Sequence, residues 1–581
     1  MELHYEKEGC CGMRFDKHKN KISVILNNTF LKITLTWAMT LLVLNIPKVS
    51  IYPLIILIFT YCFYKQVGNM QVENTAKVCA TIFACCLLLG NVDLLLSVKK
   101  NLIKLIIILL GSYFVFSVIL QLIYSKLDEY RNDNKLNIDF NISKKRSFFF
   151  IILCWMPYWL AFYPAILTPD SISQIKQVLQ LEPLVNHHPV IHTMTIKCLY
   201  TIITALGVTS INTVIGIISL IQMIFMAIVF SIITYFIYKK SKSKVLLYIS
   251  VLFYAIIPFN AYYSITIWKD ITHAAVTSIL LIIILDYLDG QSLDDKTKYF
   301  NLFLIFILGC AFCLYRSNGY YAYILWLIPL SVFTYKHKQI TLMIVVVISI
   351  LVSSYIKGPL YASFGIRNAS CFESLSIPAQ QIAYVIKNNR QLSSEEYYYL
   401  GKIIDLKRVP EIYQPYISDN IKGNCYNEEF FLNHKQQYLK IWFKIGIKYP
   451  KDYIIAWINQ TRGYWYPNIS YWVYAKGVYD NDIGLQNTPL AFRKVIDKIS
   501  FEKVYGLASF YNVAFYTWIL IAMFVYAVFK KMWYTVLSCS LLGGIFISLL
   551  LGTPVYAEFR YYYSVIASLP LVLVLPITKT R

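Results

Sequence analysis

Charged residues are scarce in this sequence, and acidic residues are the scarcer kind. Of its 581 residues, 15% are charged and 57% are hydrophobic, and the mean hydropathy is positive at +0.53. A soluble domain usually has about 25% charged residues. The shortage of charge therefore excludes a soluble globular protein, and the long apolar runs indicate a polytopic membrane protein.

The shortage of acidic residues leaves a formal net charge of +23, from 54 Lys and Arg against 31 Asp and Glu. The basic residues cluster in short loops between apolar runs, at Lys17–Lys21, Ser143–Arg146, Lys239–Lys244, Tyr335–Lys338 and Lys530–Lys531. Cytoplasmic loops of membrane proteins carry such an excess of Lys and Arg. The net charge is explained in this way, and we expect no nucleic-acid partner.

Signatures of a zinc site and of a cleavable signal peptide are also missing. Cys10 and Cys11 have no second pair of Cys or His at zinc spacing. The segment Met1–Lys21 is charged and has no apolar core, so the first membrane helix is expected to act as the targeting signal. Cys371 and Cys425 lie in a polar region, and the sequence leaves open whether they form a disulfide.

Long apolar runs predict about fourteen membrane helices of about 16 to 25 residues. They are 31–47, 50–65, 76–97, 102–124, 147–165, 211–238, 245–266, 271–288, 300–316, 319–335, 339–356, 508–530, 533–551 and 561–577. With the basic loops in the cytoplasm, both termini are cytoplasmic. The run Pro189–Leu206 would break this alternation, so we expect an interfacial or re-entrant helix there, in an outer loop 166–210 that also has a short helix from Ser171.

A second polar region, 357–507, has no apolar run of membrane length. It contains helical patterns at Ser376–Asn388 and Ser393–Ile404, the second opened by the capping pattern SSEE. We predict four parts. These are N-terminal membrane helices with a cytoplasmic loop (1–146), a membrane module with the outer loop 166–210 (147–356), a mainly helical extracytoplasmic domain (357–507), and C-terminal membrane helices (508–581).

Polar and ionisable residues gather at the predicted outer ends of the helices. The stretch YPAILTPDSISQ (Tyr163–Gln174) leaves an apolar run, and NHHPVIHT follows it. The residues concerned are Asp170, Gln174, His187, His188, His192, Lys269, Asp270, Arg316, Asn318 and Arg560. Ionisable residues at membrane depth are costly and usually functional. Lys and Arg suit an anionic phosphate, while a carboxylate suits a group that loses a proton.

The motifs TPDSISQ, NHHPVIHT, IWKD, RSNG, ESLSIPAQQIA and AEFRYY resemble the GT-C class of membrane glycosyltransferases. They resemble more closely an uncharacterised bacterial group placed near that class. The resemblance covers the chain roughly from Phe148 to the C terminus and leaves out the first four helices. It implies an all-α, GT-C-like helical bundle that takes a sugar from a polyprenyl-phosphate carrier on the outer face of the membrane.

The resemblance also implies a catalytic acidic residue in the first large outer loop, where this chain has Asp170. Many members have an acidic doublet there, whereas Pro169 and Ser171 flank Asp170 in this chain. The remaining roles rest on chemistry. Phosphate binding is assigned to Lys269, Arg316 and Arg560, and substrate binding to Gln174, His187, His188, His192, Asp270, Asn318 and Glu373.

Each assignment has a structural alternative. Asp170 is also suited to cap a helix. His188 and His192 have the i, i+4 spacing of a metal pair, although HHPVIH lacks the Glu of a metalloprotease motif. Arg316 and Arg560 are alternatively partners of Glu558 or Asp270 in buried ion pairs. Trp457–Trp472 supplies rings for stacking on a sugar or for anchoring at the membrane interface. We expect no cofactor, with a divalent metal as the minor alternative.

The predicted function is transfer of a sugar from a polyprenyl-phosphate donor to a cell-envelope glycan, teichoic acid or lipid acceptor at the bacterial cell membrane, with membrane lipid as a further partner. One alternative is a transporter or flippase of lipid-linked precursors, which ought to show charge through the membrane depth or repeated halves. The other is an acyltransferase or phosphotransferase acting on surface glycans, with His187 or His188 as the base.

Overall fold

The structure, a computed structural model, describes residues 28–47, 50–67, 70–132, 144–290, 294–467, 469–499 and 507–577. The segment Met1–Lys21, with Cys10 and Cys11, lies outside the described residues. Within the described ranges the secondary structure is helical, with isolated β-bridges and no strand. The chain divides into two compact units, Met1–Glu129 and Tyr130–Arg581.

The first unit contains five helices in its described part: α1 (Thr29–Val43), α2 (Tyr52–Val67), α3 (Asn74–Gly90), α4 (Val92–Leu96) and α5 (Val98–Asn132). Tyr64, Phe114 and Val118 form a small apolar core. Thr36 Oγ1 and the Tyr64 hydroxyl are 3.0 Å apart. A Cβ at Gly111 would collide with the backbone of Leu35, so glycine allows α1 and α5 to pack closely.

The second unit begins with ten helices, of which α7 and α8 lie in the 166–210 loop. They are α6 (Lys144–Ala161), α7 (Pro169–Val178), α8 (Val190–Ala205), α9 (Ile211–Ser241), α10 (Lys244–Ile256), α11 (Pro258–Ser264), α12 (Lys269–Asp289), α13 (Asp295–Tyr315), α14 (Ser317–His337) and α15 (Ile340–Tyr355). The helices α7 and α8 are those expected in the loop.

The region 357–507 is built from short helices. After a π-helical turn (Ile356–Leu360) come α16 (Tyr361–Ser363), a 3₁₀ turn (Cys371–Leu375), α17 (Ser376–Lys387), α18 (Ser394–Gly401), α19 (Val409–Ile412), α20 (Asp419–Lys422), α21 (Glu428–Asn433), α22 (Lys435–Lys448), α23 (Pro450–Thr461), a 3₁₀ turn (Arg462–Tyr464) and α24 (Arg493–Ile496). Ile382, Leu400 and Ile445 lie in its apolar core. Cys371 and Cys425 pack against this core as free thiols.

A 3₁₀ turn (Ala508–Tyr511) leads into α25 (Val513–Phe529), α26 (Trp533–Gly552) and α27 (Phe559–Val574), and a last 3₁₀ turn spans Leu575–Ile577. In the described part of the chain, seven helical segments are long and apolar enough to cross a membrane, or eight if the bent pair α10 and α11 is one crossing. The all-helical membrane protein predicted from composition is confirmed. The number of crossings stays a prediction, because helices such as α1 and α25 are shorter.

Helices occupy the places where the apolar runs predict them, but two predicted helices are broken. The predicted helix 245–266 bends by 58° between α10 and α11. Pro258 begins α11, and the residue before a proline is pushed out of the helical region, as the extended angles of Ile257 (φ −66°, ψ 117°) show. The predicted helix 76–97 is interrupted at Asn91. A continuous helix was wrong at both places.

Five helix ends meet at one end of the second unit. Helix α12 packs against α13 and α27, and α14 packs against α13 and α26. Helices α12, α14 and α27 begin at the end where α13 and α26 finish. A Cβ at Gly544 in α26 would lie only 2.7 Å from the carbonyl oxygen of Ala322 in α14, so glycine permits this approach. We refer to this end of the helices as the site end.

The topology predicts different labelling of two exposed positions in sealed cells. Lys407→Cys, in the region 357–507, should react with a membrane-impermeant maleimide, because this region is expected outside. Tyr335→Cys, in the basic loop Tyr335–Lys338, should react only after permeabilisation.

The native Cys425 is a poor reporter, since burial raises the pKa of its thiol to about 12. Accessible native cysteines are therefore replaced in both variants. Labelling of Tyr335→Cys in intact cells would overturn the topology.

Candidate functional site

Asp170 lies in the first turn of α7, but it is not the N-cap residue. Thr168 is the N-cap and forms a capping box with Ser171, while Pro169 takes the first helical position. The indole Nε1 of Trp268 donates to Thr168 Oγ1 at 2.7 Å. The interpretation of Asp170 as a helix cap is therefore wrong, and its carboxylate is available to other partners.

Backbone hydrogen bonds place the start of α7 beside the start of α12. Ile267 N donates to Ile166 O at 3.3 Å, and Leu167 N donates to Gly477 O at 3.0 Å. Ser171 Oγ donates to Ile267 O at 2.8 Å. Three chain segments that are distant in sequence are thereby held side by side, and they position the first residues of both helices.

Asp170 contacts two cations from distant parts of the chain. Arg560 Nη1 donates to Asp170 Oδ2 at 2.9 Å, and Lys269 Nζ lies 3.8 Å from the same oxygen. Arg560 Nε lies 3.3 Å from Glu558 Oε1. The side chains of Arg560 and Glu558 are only 12% and 3% exposed. One buried guanidinium therefore bridges two carboxylates.

A second ion pair lies at the same end of the helices. Arg316, between α13 and α14, pairs with Asp270 in the first turn of α12, and both side chains are buried. The guanidinium carbons of Arg316 and Arg560 lie 4.7 Å and 5.2 Å from the ring centroid of Tyr561. The two ion pairs thus share one aromatic neighbour. We refer to these groups as the charge cluster: Asp170, Lys269, Asp270, Arg316, Glu558 and Arg560.

His187 and His188 lie at the edge of the charge cluster. His188 is buried, and its Nδ1 lies 3.1 Å from Lys269 Nζ. Burial and the nearby Lys269 lower the pKa of His188 to about 3, so the neutral ring accepts a hydrogen bond from the ammonium group. The exposed ring of His187 packs edge-on against His188 at 4.6 Å.

Gln174 and His192 bind each other. His192 Nδ1 donates to Gln174 Oε1 at 3.0 Å, and Gln174 Nε2 donates to Thr193 Oγ1 at 2.9 Å. All three side chains are buried, and burial lowers the pKa of His192 to about 3. These contacts, through both polar atoms of Gln174 and Nδ1 of His192, hold α7 against α8, and the predicted substrate contact of the two residues stays a prediction.

Glu373 and Asn318 lie outside the hydrogen bonds of the charge cluster in the described residues. Glu373 pairs with Lys422 at 2.5 Å, and Lys422 also lies 3.0 Å from Asp419. Asn318 is half-buried in the first turn of α14. Glu373 therefore has a local partner within the region 357–507, and its predicted substrate contact stays a prediction, as does that of Asn318.

A metal pair of His188 and His192 has no support in the contacts, because each ring binds a different neighbour. Among the described residues, no group of three His, Cys, Asp or Glu is arranged to hold a metal ion.

The two carboxylates on Arg560 have pKa values moved in opposite directions. Burial acts to raise the pKa of Asp170, but Lys269 and Arg560 together outweigh it and hold that pKa well below its usual range. Burial raises the pKa of Glu558 to about 7, although Arg560 opposes the change. At neutral pH Asp170 is ionised, whereas burial shifts Glu558 towards its protonated form. Such separated pairs are typical of sites that bind or move charge.

Residues of the region 357–507 hold the loop that leads to Glu558. Gln460 Nε2 donates to Thr553 O at 2.7 Å, and the Tyr464 hydroxyl donates to Val555 O at 3.1 Å. Both side chains are fully buried. The segment Trp457–Trp472 is conspicuous in the sequence for its aromatic residues. A single Gln among them was the sign that this segment also binds backbone groups.

Two aromatic rings of the site, those of Trp268 and Tyr561, were not predicted from the sequence. The guanidinium of Arg560 lies 4.9 Å from the ring centroid of Trp268, and Tyr561 contacts both arginines. Each ring adjoins a predicted residue in the motifs IWKD and AEFRYY. Aromatic residues are so frequent in this chain that these two did not stand out.

The fold and the site define a helical membrane protein with a buried cluster of paired charges where several helices end. The chain belongs to the family DUF6020, described as a family of unknown function, which matches residues 180–581. That range includes the predicted site residues except Asp170 and Gln174. No curated protein and no solved structure matches the chain.

Replacing Asp270 by Ala should lower the melting temperature strongly. Arg316 would then be a buried cation without its carboxylate, which typically costs about 3–5 kcal/mol. The matched control is Asp295→Ala, because the pair of Asp295 with Lys298 is exposed and such pairs contribute about 0–1 kcal/mol. Thermal unfolding in one detergent measures both variants. Equal shifts would contradict a buried ion pair.

Glu558→Gln should stabilise the protein increasingly as the pH rises from 4.5, the ordinary pKa of Glu, to about 7. The raised pKa means that folding favours the protonated carboxyl, so the wild type loses this stability on ionisation, whereas Gln stays neutral.

Asp170→Asn should behave in the opposite way. The lowered pKa of Asp170 means that folding favours the ionised form, so the variant is less stable than wild type at neutral pH. The difference should shrink as the pH falls below 3.8, the ordinary pKa of Asp. Melting temperatures of both variants against pH test the two signs, and the same sign for both would contradict the assignment.

Proposed function

We propose that the protein is a membrane glycosyltransferase that moves a sugar from a polyprenyl-phosphate carrier to a cell-envelope glycan, teichoic acid or lipid acceptor. The observation that carries the proposal is the position of Asp170, whose carboxylate lies between Arg560 and Lys269 at the site end of the helices. In this proposal the chain crosses the bacterial cell membrane about fourteen times, with both termini in the cytoplasm and the site outside.

The two cations that contact Asp170 are suited to bind the phosphate of a carrier. A guanidinium and an ammonium converge on one carboxylate oxygen, and phosphate oxygens accept from the same donors. The arriving phosphate takes the place of Asp170 on both cations. Asp170 then loses the partners that keep its pKa low, so it becomes a stronger base when the donor is bound.

The transfer follows from these positions. Asp170 accepts the proton of an acceptor hydroxyl, and the hydroxyl oxygen attacks the anomeric carbon of the donor sugar. The bond between that carbon and the phosphate oxygen breaks, and its electron pair stays on the carrier phosphate. Arg560 and Lys269 stabilise the charge that develops there. Direct attack inverts the configuration at the anomeric carbon.

The sequence predicts that Arg316 binds the phosphate. In this scheme it has a structural part instead. Its charge is already balanced by buried Asp270, and its guanidinium packs on Tyr561. We assign it to fixing the start of α27, from which Arg560 projects.

The contacts argue against parts of the two alternatives. In an acyltransferase or phosphotransferase, His188 is a poor base because its Nδ1 already binds Lys269 Nζ at 3.1 Å, while His187 as the base stays an alternative. A transporter ought to present charge along its path, whereas the charge cluster lies where helices begin and end. Glycosyl transfer requires only the arrangement at that end.

The purified protein, reconstituted in vesicles with a panel of polyprenyl-phosphate sugars and acceptors, should release free polyprenyl phosphate together with a glycosylated product. Asp170→Asn should lose about 10²–10⁴ in turnover, the usual contribution of a positioned base. It should bind polyprenyl phosphate at least as tightly as wild type, because the internal competitor for Arg560 and Lys269 has lost its charge.

The control is Asp482→Asn, because Asp482 is an exposed carboxylate that pairs with Lys176 of the same helix α7. It should leave turnover and affinity unchanged. Full turnover in Asp170→Asn would remove the carboxylate from the chemistry. Movement of the donor across the membrane with no covalent product would instead identify a transporter.

A further inference from the structure

Two cavities in the second unit have Phe515, at the start of α25, in their linings. The larger has a volume of about 750 Å³ and is lined by the extended segment before α24 and by the residues around the start of α25. The smaller has a volume of about 240 Å³ and lies among α9, α10, α25 and α27. We refer to them as the aromatic cavity and the apolar groove.

The aromatic cavity offers ring faces and backbone groups. Tyr471, Trp472, Tyr474 and Tyr511 line it, and the ring of Tyr474 is fixed by stacking on Tyr262 at 3.9 Å. Rings of this kind present an apolar face to the C–H side of a sugar and leave its hydroxyls to the polar edge. The volume is in the range of small-molecule sites.

The cationic side chain in the lining of the aromatic cavity is Lys476. Its Nζ lies 3.8 Å from Asp497 Oδ1 and 6.0 Å from the ring centroid of Tyr262, and Arg493 binds the same carboxylate at 2.7 Å. The cavity therefore has one cation, whereas two cations converge at Arg560 and Lys269. Aromatic rings outnumber this cation in the lining, so a sugar head suits the cavity better than a phosphate.

Two tryptophan rings connect the aromatic cavity to the charge cluster. Trp472 lines the cavity, and its ring centroid is 6.0 Å from that of Trp268. Trp268 in turn contacts the guanidinium of Arg560 at 4.9 Å. A molecule in the cavity therefore lies next to the place where the carrier phosphate would bind.

The apolar groove continues from Phe515 along the membrane helices. Phe253, Ile519 and Leu569 line its length, and Leu246 and Val574 line it towards the opposite end of α10 and α27. The groove therefore offers a path for a hydrocarbon chain.

We propose that the aromatic cavity and the apolar groove bind one molecule, a glycolipid acceptor whose uncharged sugar lies among the rings while its hydrocarbon chain passes Phe515 into the groove. This inference rests on the proposed function and names the acceptor as lipid-anchored. Phe515 lies in the lining of both cavities, which argues for one amphiphile, and the rings of Tyr471, Trp472 and Tyr474 argue for a sugar as its head.

Photolabelling of the full chain in phosphatidylcholine vesicles tests the site. The probe is decyl β-glucoside with a diazirine in its chain, and the labelled peptides are mapped by mass spectrometry. Labelling should fall on α25 and α27 near Ile519 and Leu569, and unlabelled decyl glucoside should compete for it. Glucose and decanol should compete at least about 100-fold less well, because each lacks one half of the amphiphile.

Two variants test the aromatic cavity and the apolar groove separately. Trp472→Ala should weaken the binding of decyl glucoside about tenfold through loss of a ring contact. Ile519→Trp should fill the groove and reduce labelling at least as much. Ile328→Trp, at a position on α14 that is 70% exposed, is the matched control and should leave labelling unchanged.

The outcomes separate this inference from the proposed function. Labelling that a photoreactive phosphatidylcholine reproduces, and that decyl glucoside does not displace, would show an ordinary lipid surface and overturn the inference. Asp170→Asn should retain the labelling although it loses turnover. Saturable labelling without sugar transfer to any acceptor would uphold the glycolipid site and refute the transferase.

Discussion

The structure of the site depends on the ion pair that Arg560 forms with Asp170, with Glu558 close to the same guanidinium. A buried guanidinium is very costly unless a carboxylate pairs with it in good geometry. Asp170 is 390 residues from Arg560 in sequence, so this requirement ties α7 to the start of α27. Because α12 packs on α27, Lys269 is brought to the same carboxylate.

Each cation of the site has a carboxylate partner before any ligand arrives. Arg316 pairs with Asp270, and Arg560 and Lys269 both contact Asp170. In the proposed transfer the carrier phosphate therefore enters by exchange, and the half-buried Asp170 is the carboxylate that it displaces. The pair of Arg316 and Asp270 is closed off from solvent and serves as the fixed part. In the proposed transfer, binding of the phosphate breaks the ion pair of Arg560 with Asp170. The carboxylate of Asp170 then becomes more basic.

The region 357–507 contacts the chain that leads to the charge cluster. Gln460 and Tyr464 hold the loop before α27 and are themselves fully buried. Burial of Glu558 at the end of that loop raises its pKa to about 7. The same segment continues into the wall of the aromatic cavity at Trp472. One stretch of chain thus shapes both parts of the site.

The sequence by itself determined the class of protein and the positions of the helices, because apolarity over a membrane length is a local property. It also singled out Asp170, Lys269, Arg316 and Arg560, since an ionisable residue beside an apolar run is conspicuous without knowledge of its partners. Only the tertiary structure decided that Thr168 caps α7, that Arg316 pairs with Asp270, and that Gln174 binds His192. It alone brought Asp170 onto Arg560 and placed Phe515 in the linings of both cavities. Apart from the local cap at Thr168, each of these results depends on contacts between separate segments of the chain, which no local pattern of residues records.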